Sequence, residues 1–187
     1  MDIRLDWGLS EQETALIGSI MVEWSAIEYE VFQQTLLTFE CAAEVPRQLR
    51  SPNFTNILDL WKERVADTSA EYPEKLNEVY SSIMHFKDYR NALAHGMWFW
   101  DPGNVKRITS TRFKKDQILQ VHFSNEDLQH FREQAMKINF DLRYPGGKDD
   151  YIMSIAKSGG FISRRLLMEC MNHNAEQDSA HQSTTAP

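Results

Sequence analysis

Near the N-terminus, apolar residues recur every three or four positions along the chain. The repeat is formed by Leu16, Ile20, Trp24, Ile27 and Val31. This spacing predicts an amphipathic helix, and Ser10 with Glu13 three residues later predicts the capping box that begins it. Because no proline occurs before Pro46, the helix is expected to run to about Cys41.

Two more helices are predicted, each with a proline at its first position. Ser51 is the expected cap before Pro52, and Pro73 begins the third helix. The apolar face of the second helix is formed by Phe54, Ile57, Leu58, Trp61 and Val65. The third helix is expected to end near His95, and its face is formed by Leu76, Val79, Ile83, Phe86, Arg90 and Leu93. Arginine therefore lies at the centre of an otherwise apolar face.

After Gly96 the hydrophobic pattern changes. Residues 97–123 are rich in Thr, Val, Ile and aromatic side chains, with turn residues at 101–104, and predict a small antiparallel β-meander. A fourth helix is expected over about 125–142 and a last helical region over about 149–173. The expected fold is mainly α: a bundle of about five helices with the meander inserted after the third. It forms one domain, residues 1–173, followed by a disordered polar tail at 174–187.

Composition limits the classes of function. The chain has 187 residues and a net charge of −7, which argues against indiscriminate binding to nucleic acid but allows a local basic site. Cys41 and Cys170 match no metal or redox spacing, and the six histidines form no metal-ligand pattern. Neither a metal nor another cofactor is expected. No signal peptide and no apolar run of ~18 residues are present, so we expect a cytoplasmic protein that does not associate with membranes.

Two opposite charges lie within the predicted apolar faces, Glu28 on the first helix and Arg90 on the third. A lone charge buried among apolar side chains is unfavourable. Glu28 therefore either reaches water from the edge of its helix or pairs with a cation from another helix. Arg90 is the best candidate for that cation, and we expect a salt bridge between the two side chains.

Residues 89–96 combine side chains suited to RNA cleavage. Arg90 is followed directly by Asn91, and three residues separate Asn91 from His95, in the order Arg-Asn-x-x-x-His. A guanidinium is permanently charged and binds phosphate, whereas a histidine titrates near neutral pH and transfers protons. This segment resembles the Arg-x4-6-His signature of the HEPN superfamily of small helical proteins. The resemblance covers roughly residues 10–96 and extends to the C-terminal helices.

The resemblance implies a homodimeric endoribonuclease that needs no metal ion, of the kind found in toxin–antitoxin, phage-defence and RNA-processing systems. RNA would be the substrate, and an antitoxin protein a further partner. His95 would be the general base or acid, Arg90 would stabilise charge on the phosphate, and Asn91 would orient one of them. The chain departs from one subgroup of the family, because toxins silenced by adenylylation carry a tyrosine two positions after the histidine. Met97 stands there in this sequence.

A basic segment follows the motif directly. Lys106, Arg107 and Arg112 lie in a stretch without acidic residues between Asp101 and Asp116. With Lys87 on the third helix, these three are candidate substrate-binding residues that would follow the phosphates of RNA. The alternative is a solvated strand edge that its lysines protect from aggregation. Trp98 and Trp100 are either core residues or rings that stack on bases.

The spacing of the motif favours a dimer. On a helical wheel, Arg90 and His95 are separated by about 140°, so one straight helix does not aim both at one point. The length of arginine, a loosened last turn or a second copy of the helix would bring them together. The last option places Tyr80, Met84, Lys87, Asn91 and His95 at a two-fold interface. Two other functions remain: a non-catalytic dimeric scaffold in which Arg90 is structural, and a nucleotide-sensing module.

Overall fold

The structure, a computed structural model, describes residues 8–40, 45–50, 53–114 and 117–158. The chain divides into two compact units, Met1–Arg143 and Tyr144–Pro187, and each is described by itself. The described residues contain five α-helices and one three-stranded antiparallel sheet, which confirms the predicted fold class. The helices are α1 (Glu11–Leu36), α2 (Phe54–Trp61), α3 (Pro73–His95), α4 (Asn125–Arg143) and α5 (Lys148–Lys157).

The first helix begins with the predicted capping box. The Glu13 backbone N–H donates to Ser10 Oγ over 3.2 Å, and the Ser10 backbone N–H donates to Glu13 Oε2 over 2.6 Å. The helix ends at Leu36 rather than near Cys41. The hydroxyl of Thr38 donates to the carbonyl of Thr35 over 2.7 Å and satisfies one of the helix's last acceptors, so the chain leaves the helix there.

The second helix begins later than the sequence suggested. Asn53 is its N-cap, because the Asn53 side chain accepts a hydrogen bond of 3.0 Å from the Thr55 N–H. The expected cap, Ser51, lies outside the described residues together with Pro52. After Trp61 the helix continues into a π-helical turn at Lys62–Ala66. The third helix has Pro73 at its first position and ends at His95, as predicted.

The core of the first unit is formed by the predicted apolar faces. Helix α1 packs along α4, and α3 packs on both. Fully buried side chains from these helices include Ile20, Trp24, Ile27, Val31, Ile83 and Leu128. Each contributes about 1.5–3 kcal/mol relative to leaving it exposed, so packing of these faces holds α3 and its motif in place.

The sheet follows α3 directly and is ordered β1-β2-β3. Its strands are β1 (Met97–Asp101), β2 (Asn104–Lys114) and β3 (Gln117–Phe123). The predicted meander at 97–123 is therefore confirmed. Two buried side chains, Ile108 and Phe123, join the sheet to the helical core. The buried hydroxyl of Ser110 donates to the carbonyl of Ala92 over 2.6 Å and fastens β2 to the last turn of α3.

Gly96 ends α3 for a reason that the sequence does not reveal. Its backbone is extended, with φ −82° and ψ 152°, a conformation open to any residue. A Cβ atom at this position would lie only 1.7 Å from Ser110 Oγ and 2.6 Å from the Ala92 carbonyl oxygen. Glycine is therefore required because β2 passes so close to the end of the helix.

The second unit is described from residue 144 to residue 158. Gly147 precedes α5 with φ +78°, a left-handed conformation that favours glycine. The rings of Tyr144 and Tyr151 meet edge to face, with centroids 5.2 Å apart. The rest of the predicted last helical region and the predicted tail at 174–187 lie outside the described residues. In the described ranges, no helix combines the length and apolar character needed to cross a membrane.

Candidate functional site

Arg90 and Asn91 line a groove of about 540 Å³ between α1, the start of α2 and α3. We call it the Arg90 groove. Its walls are formed by Trp24, Ser25, Glu28, Tyr29 and Phe32 of α1, by Asn53, Phe54, Thr55 and Ile57 around the start of α2, and by Lys87, Arg90 and Asn91 of α3. Lys87, Arg90 and Asn91, all on α3, therefore face side chains from α1 and from the start of α2.

The guanidinium of Arg90 has two neighbours in this groove. Its Nη2 lies 3.1 Å from Glu28 Oε1, and its Nη1 donates to Asn91 Oδ1 over 3.2 Å. The ion pair expected from the sequence is thus present. Arg90 Nε is buried and has no hydrogen-bond partner among the described residues. The guanidinium is thus held by an acid and an amide, while its Nε–H makes no hydrogen bond to them.

The carboxylate of Glu28 is fixed by a second donor. Trp24 Nε1 donates to the same oxygen, Oε1, over 2.9 Å. The two residues are one turn apart on α1, where side chains at i and i+4 are neighbours. The side chains of Arg90 and Glu28 remain 24% and 31% exposed. The pair is therefore half-buried and partly screened by water, rather than sealed in the core.

Glu28→Gln is expected to lower the free energy of unfolding by about 0.5–1.5 kcal/mol. Glutamine keeps an oxygen for Trp24 but loses the charge attraction to Arg90, and the partial exposure of the pair limits the loss. Chemical denaturation of both proteins measures it, with Glu63→Gln as control because Glu63 is exposed. A loss of about 3–5 kcal/mol, typical of a broken buried pair, or no loss at all would contradict this description.

Lys87 adds a second cation to the Arg90 groove. Its Nζ donates to Thr55 Oγ1 over 3.2 Å, which places it beside the first turn of α2. The N-terminal end of a helix carries partial positive charge. The groove thus combines two cations, a helix start and one neutralising carboxylate, a set that attracts a phosphate group once Glu28 gives way.

His95 does not share this groove. It is the last residue of α3, its side chain is exposed, and it is absent from the described residues that line the groove. It has no hydrogen-bond or ion-pair partner within the described part of the chain. An ideal helix separates it from Arg90 by about 140°. The structure therefore brings Arg90 and Asn91 together and leaves His95 facing solvent.

The basic residues of β2 are divided between two further grooves. Arg107 and Arg112 line a groove between α3 and β3, and Arg112 Nη2 lies 3.1 Å from Asp88 Oδ1. Lys106 lines another groove together with Trp100. The four predicted substrate-binding residues, which include Lys87, thus do not form one surface. Sequence cannot assign them to grooves, because packing decides where each side of a strand faces.

The two tryptophans of β1 differ in their surroundings. Trp98 packs against the core, with its ring centroid 6.1 Å from that of Phe123. Trp100 is 46% exposed. Trp98 is thus a partly buried residue packed against the core, and the stacking hypothesis remains only for Trp100.

Part of the flank predicted for a dimer interface is covered by α2. The Tyr80 hydroxyl donates to Asp59 Oδ1 over 2.9 Å, and this hydrogen bond raises the pKa of Tyr80. The ammonium of Lys62 lies 5.7 Å from the centre of the same ring. Because Lys87 also bonds to α2, the exposed end of the flank is the one that carries His95.

Two groups of residues at the site were not predicted from the sequence. Trp24 holds Glu28, and its position one turn away on α1 was the available signal. Asn53 and Thr55 border the groove because the helices pack together, and no local sequence pattern predicts such a tertiary contact.

The chain was compared with protein-family models, with curated proteins and with solved structures, and none of the three comparisons found a match. Within the described residues, no group of three or more His, Cys, Asp or Glu side chains is placed to hold a metal ion.

Proposed function

We propose that the protein is an endoribonuclease that cleaves RNA without a metal ion and acts as a homodimer. The proposal rests on one observation, that the three motif residues lie in two different surroundings. Arg90 and Asn91 line a cationic groove, while His95 stands exposed at the end of the same helix. The resemblance to the HEPN superfamily supports a cytoplasmic role in a toxin–antitoxin or phage-defence system, with an antitoxin protein as a further partner.

The Arg90 groove is suited to a phosphodiester. A phosphate that enters replaces the Glu28 carboxylate as the partner of Arg90, and Lys87 supplies a second positive charge. The guanidinium then stabilises the charge that develops on the phosphate oxygens in the transition state. Asn91, already bonded to Arg90 Nη1, orients the guanidinium. The groove of one chain thus supplies phosphate binding and charge stabilisation.

A second chain supplies the proton transfer. In the dimer, His95 of one protomer approaches the Arg90 groove of its partner, and the two-fold symmetry creates two such sites. The ribose 2′-hydroxyl attacks the phosphorus, and a new O2′–P bond forms as the P–O5′ bond breaks. His95 takes the proton from the 2′-hydroxyl or delivers one to the leaving 5′-oxygen. The products are a 2′,3′-cyclic phosphate and a 5′-hydroxyl end.

The purified protein is expected to cleave structured RNA in the presence of EDTA and to leave 2′,3′-cyclic phosphate ends. The 2′-hydroxyl serves as the nucleophile, so no hydrolytic water and no metal ion are required. Gel electrophoresis with end-specific phosphatase treatment identifies the products. Cleavage that requires magnesium, or products with 5′-phosphate ends, would overturn the proposed chemistry.

Mixed dimers test whether the site is shared between chains. Arg90→Gln and His95→Ala proteins are each expected to be inactive alone. When they are unfolded and refolded together, some dimers hold one site with Arg90 from one chain and His95 from the other. Activity should therefore reappear in the mixture. If the two variants stay inactive together although sedimentation shows dimers, both residues act within one chain.

A second function is favoured by one observation, the neutralisation of Arg90 by Glu28. A fixed internal counter-ion suits a non-catalytic dimeric scaffold in which Arg90 is structural, whereas a nucleotide sensor would use the same groove as an anion site. The EDTA cleavage assay separates the two functions. Binding of RNA or nucleotide without cleavage, unaffected by His95→Ala, would support the binding module.

A further inference from the structure

A larger groove lies on the other side of α3, between this helix and the edge strand β3. Its volume is about 1030 Å³, large enough for a nucleotide. Its lining includes His85 and Tyr89 from α3, Arg107 and Arg112 from β2, and His122 from β3. We call it the α3–β3 groove. Neither Arg90 nor His95 is among the described residues that line it.

The two arginines of the groove differ in their engagement. Arg112 is 16% exposed and lies 3.1 Å from Asp88, so it is already paired. Arg107 is exposed and makes no hydrogen bond or ion pair within the described ranges. The nearby carboxylate of Asp127 accepts from the backbone N–H and the hydroxyl of Ser124, over 2.8 and 2.9 Å. These bonds chiefly, with a smaller contribution from Arg107, lower the pKa of Asp127. The guanidinium of Arg107 thus retains its donors for a ligand.

Histidine and tyrosine rings complete the groove. Tyr89 is 41% exposed, and its ring centroid lies 6.0 Å from that of the exposed His85. His122 is held through Nδ1, which lies 2.8 Å from Thr109 Oγ1, so its other ring nitrogen remains for a ligand. Exposed rings beside cations are the arrangement that proteins use to bind bases and phosphates together.

We propose that the α3–β3 groove binds a nucleotide unit, with its phosphate on Arg107 and His122 and its base against Tyr89 and His85. The nucleotide belongs either to an RNA chain or to a free nucleotide, since both carry the same chemistry. Binding at this groove does not depend on cleavage by His95. It adds to the proposed ribonuclease a second contact site, on the opposite side of α3 from the Arg90 groove.

Isothermal titration of the full-length protein tests the proposal with two probes, adenosine 5′-monophosphate and a 2′-O-methyl pentaadenylate that resists cleavage. For each probe that the parent protein binds, Arg107→Gln is expected to weaken the affinity about tenfold or more, because a charge-assisted hydrogen bond is lost. Tyr89→Ala should weaken it about fivefold to a hundredfold through lost stacking. Tyr89→Leu should weaken binding by a similar factor, because leucine keeps apolar volume against the core but has no ring that stacks on a base. Arg47→Gln, an equal charge change on an exposed residue elsewhere, should have no effect.

The outcomes separate the two sources of the ligand. Tighter binding of the pentaadenylate supports an RNA chain, and binding of the monophosphate alone supports a free nucleotide. Neither probe is cleaved, so a failure of the cleavage proposal leaves this test intact. Binding of neither probe would overturn the proposal. So would an affinity that Arg107→Gln and both Tyr89 variants leave unchanged in well-folded proteins.

Discussion

His95→Ala is expected to lower the rate of RNA cleavage by about 10²–10⁴-fold, the usual contribution of a general acid or base. The free energy of unfolding should change by less than about 1 kcal/mol, because the exposed imidazole contributes only its interaction with the helix dipole. Single-turnover cleavage in EDTA gives the rate, and chemical denaturation gives the stability. The two measurements together separate loss of chemistry from loss of structure.

His95→Gln sharpens this test. Glutamine preserves hydrogen bonding but does not titrate near neutral pH, so this variant should be as inactive as His95→Ala. If His95→Gln retains cleavage, histidine only binds the substrate. If His95→Ala unfolds the protein, the residue is structural, and the binding module becomes the better proposal.

Gly96→Ala is expected to destabilise the protein by about 2–5 kcal/mol, through overpacking and the loss of a buried hydrogen bond. The new Cβ would meet Ser110 Oγ at 1.7 Å and the Ala92 carbonyl oxygen at 2.6 Å. Strand β2 or the last turn of α3 would have to move, and the hydrogen bond from Ser110 to Ala92 would break. Thermal and chemical unfolding measure the effect.

Two companion variants make this prediction specific. Gly18→Ala places the same methyl group in the interior of α1, where nothing lies within 4 Å, and should stabilise the protein by up to about 1 kcal/mol. Combining Gly96→Ala with Ser110→Ala removes the hydroxyl from the clash and should recover part of the loss. A Gly96→Ala protein as stable as the parent would mean that β2 does not pass as close to the helix end as described.

Hydrophobic spacing predicted the helices and their buried faces, because those faces are local repeats along each element. The start of α2 was misplaced, since Ser51 and Asn53 are both favourable caps and the sequence does not rank them. The role of Gly96 was also hidden. A glycine after a helix suggests a left-handed cap, whereas here the requirement comes from Ser110, a residue 14 positions further along the chain.

The candidate site was also predictable only where a local feature of the sequence pointed to it. Glu28 and Arg90 each place a charge in an apolar stripe of the sequence, so the need for a counter-charge predicts their pairing. The distribution of the basic β2 residues depends on which groove each side chain enters. Arg107 and Lys106 are adjacent in the chain yet line different grooves, a separation that only the packed sheet determines.

The carbonyl of Ala92 affects how freely the end of α3 moves. Helix ends usually fray, because their last carbonyls lack partners within the helix. Here the same oxygen accepts from the Gly96 N–H over 3.0 Å and from the Ser110 hydroxyl over 2.6 Å. The backbone around His95 therefore loses the disorder typical of a terminus, and only the torsions of its own side chain remain to aim the imidazole. In the proposed ribonuclease, a histidine restrained in this way would lose little entropy when RNA binds.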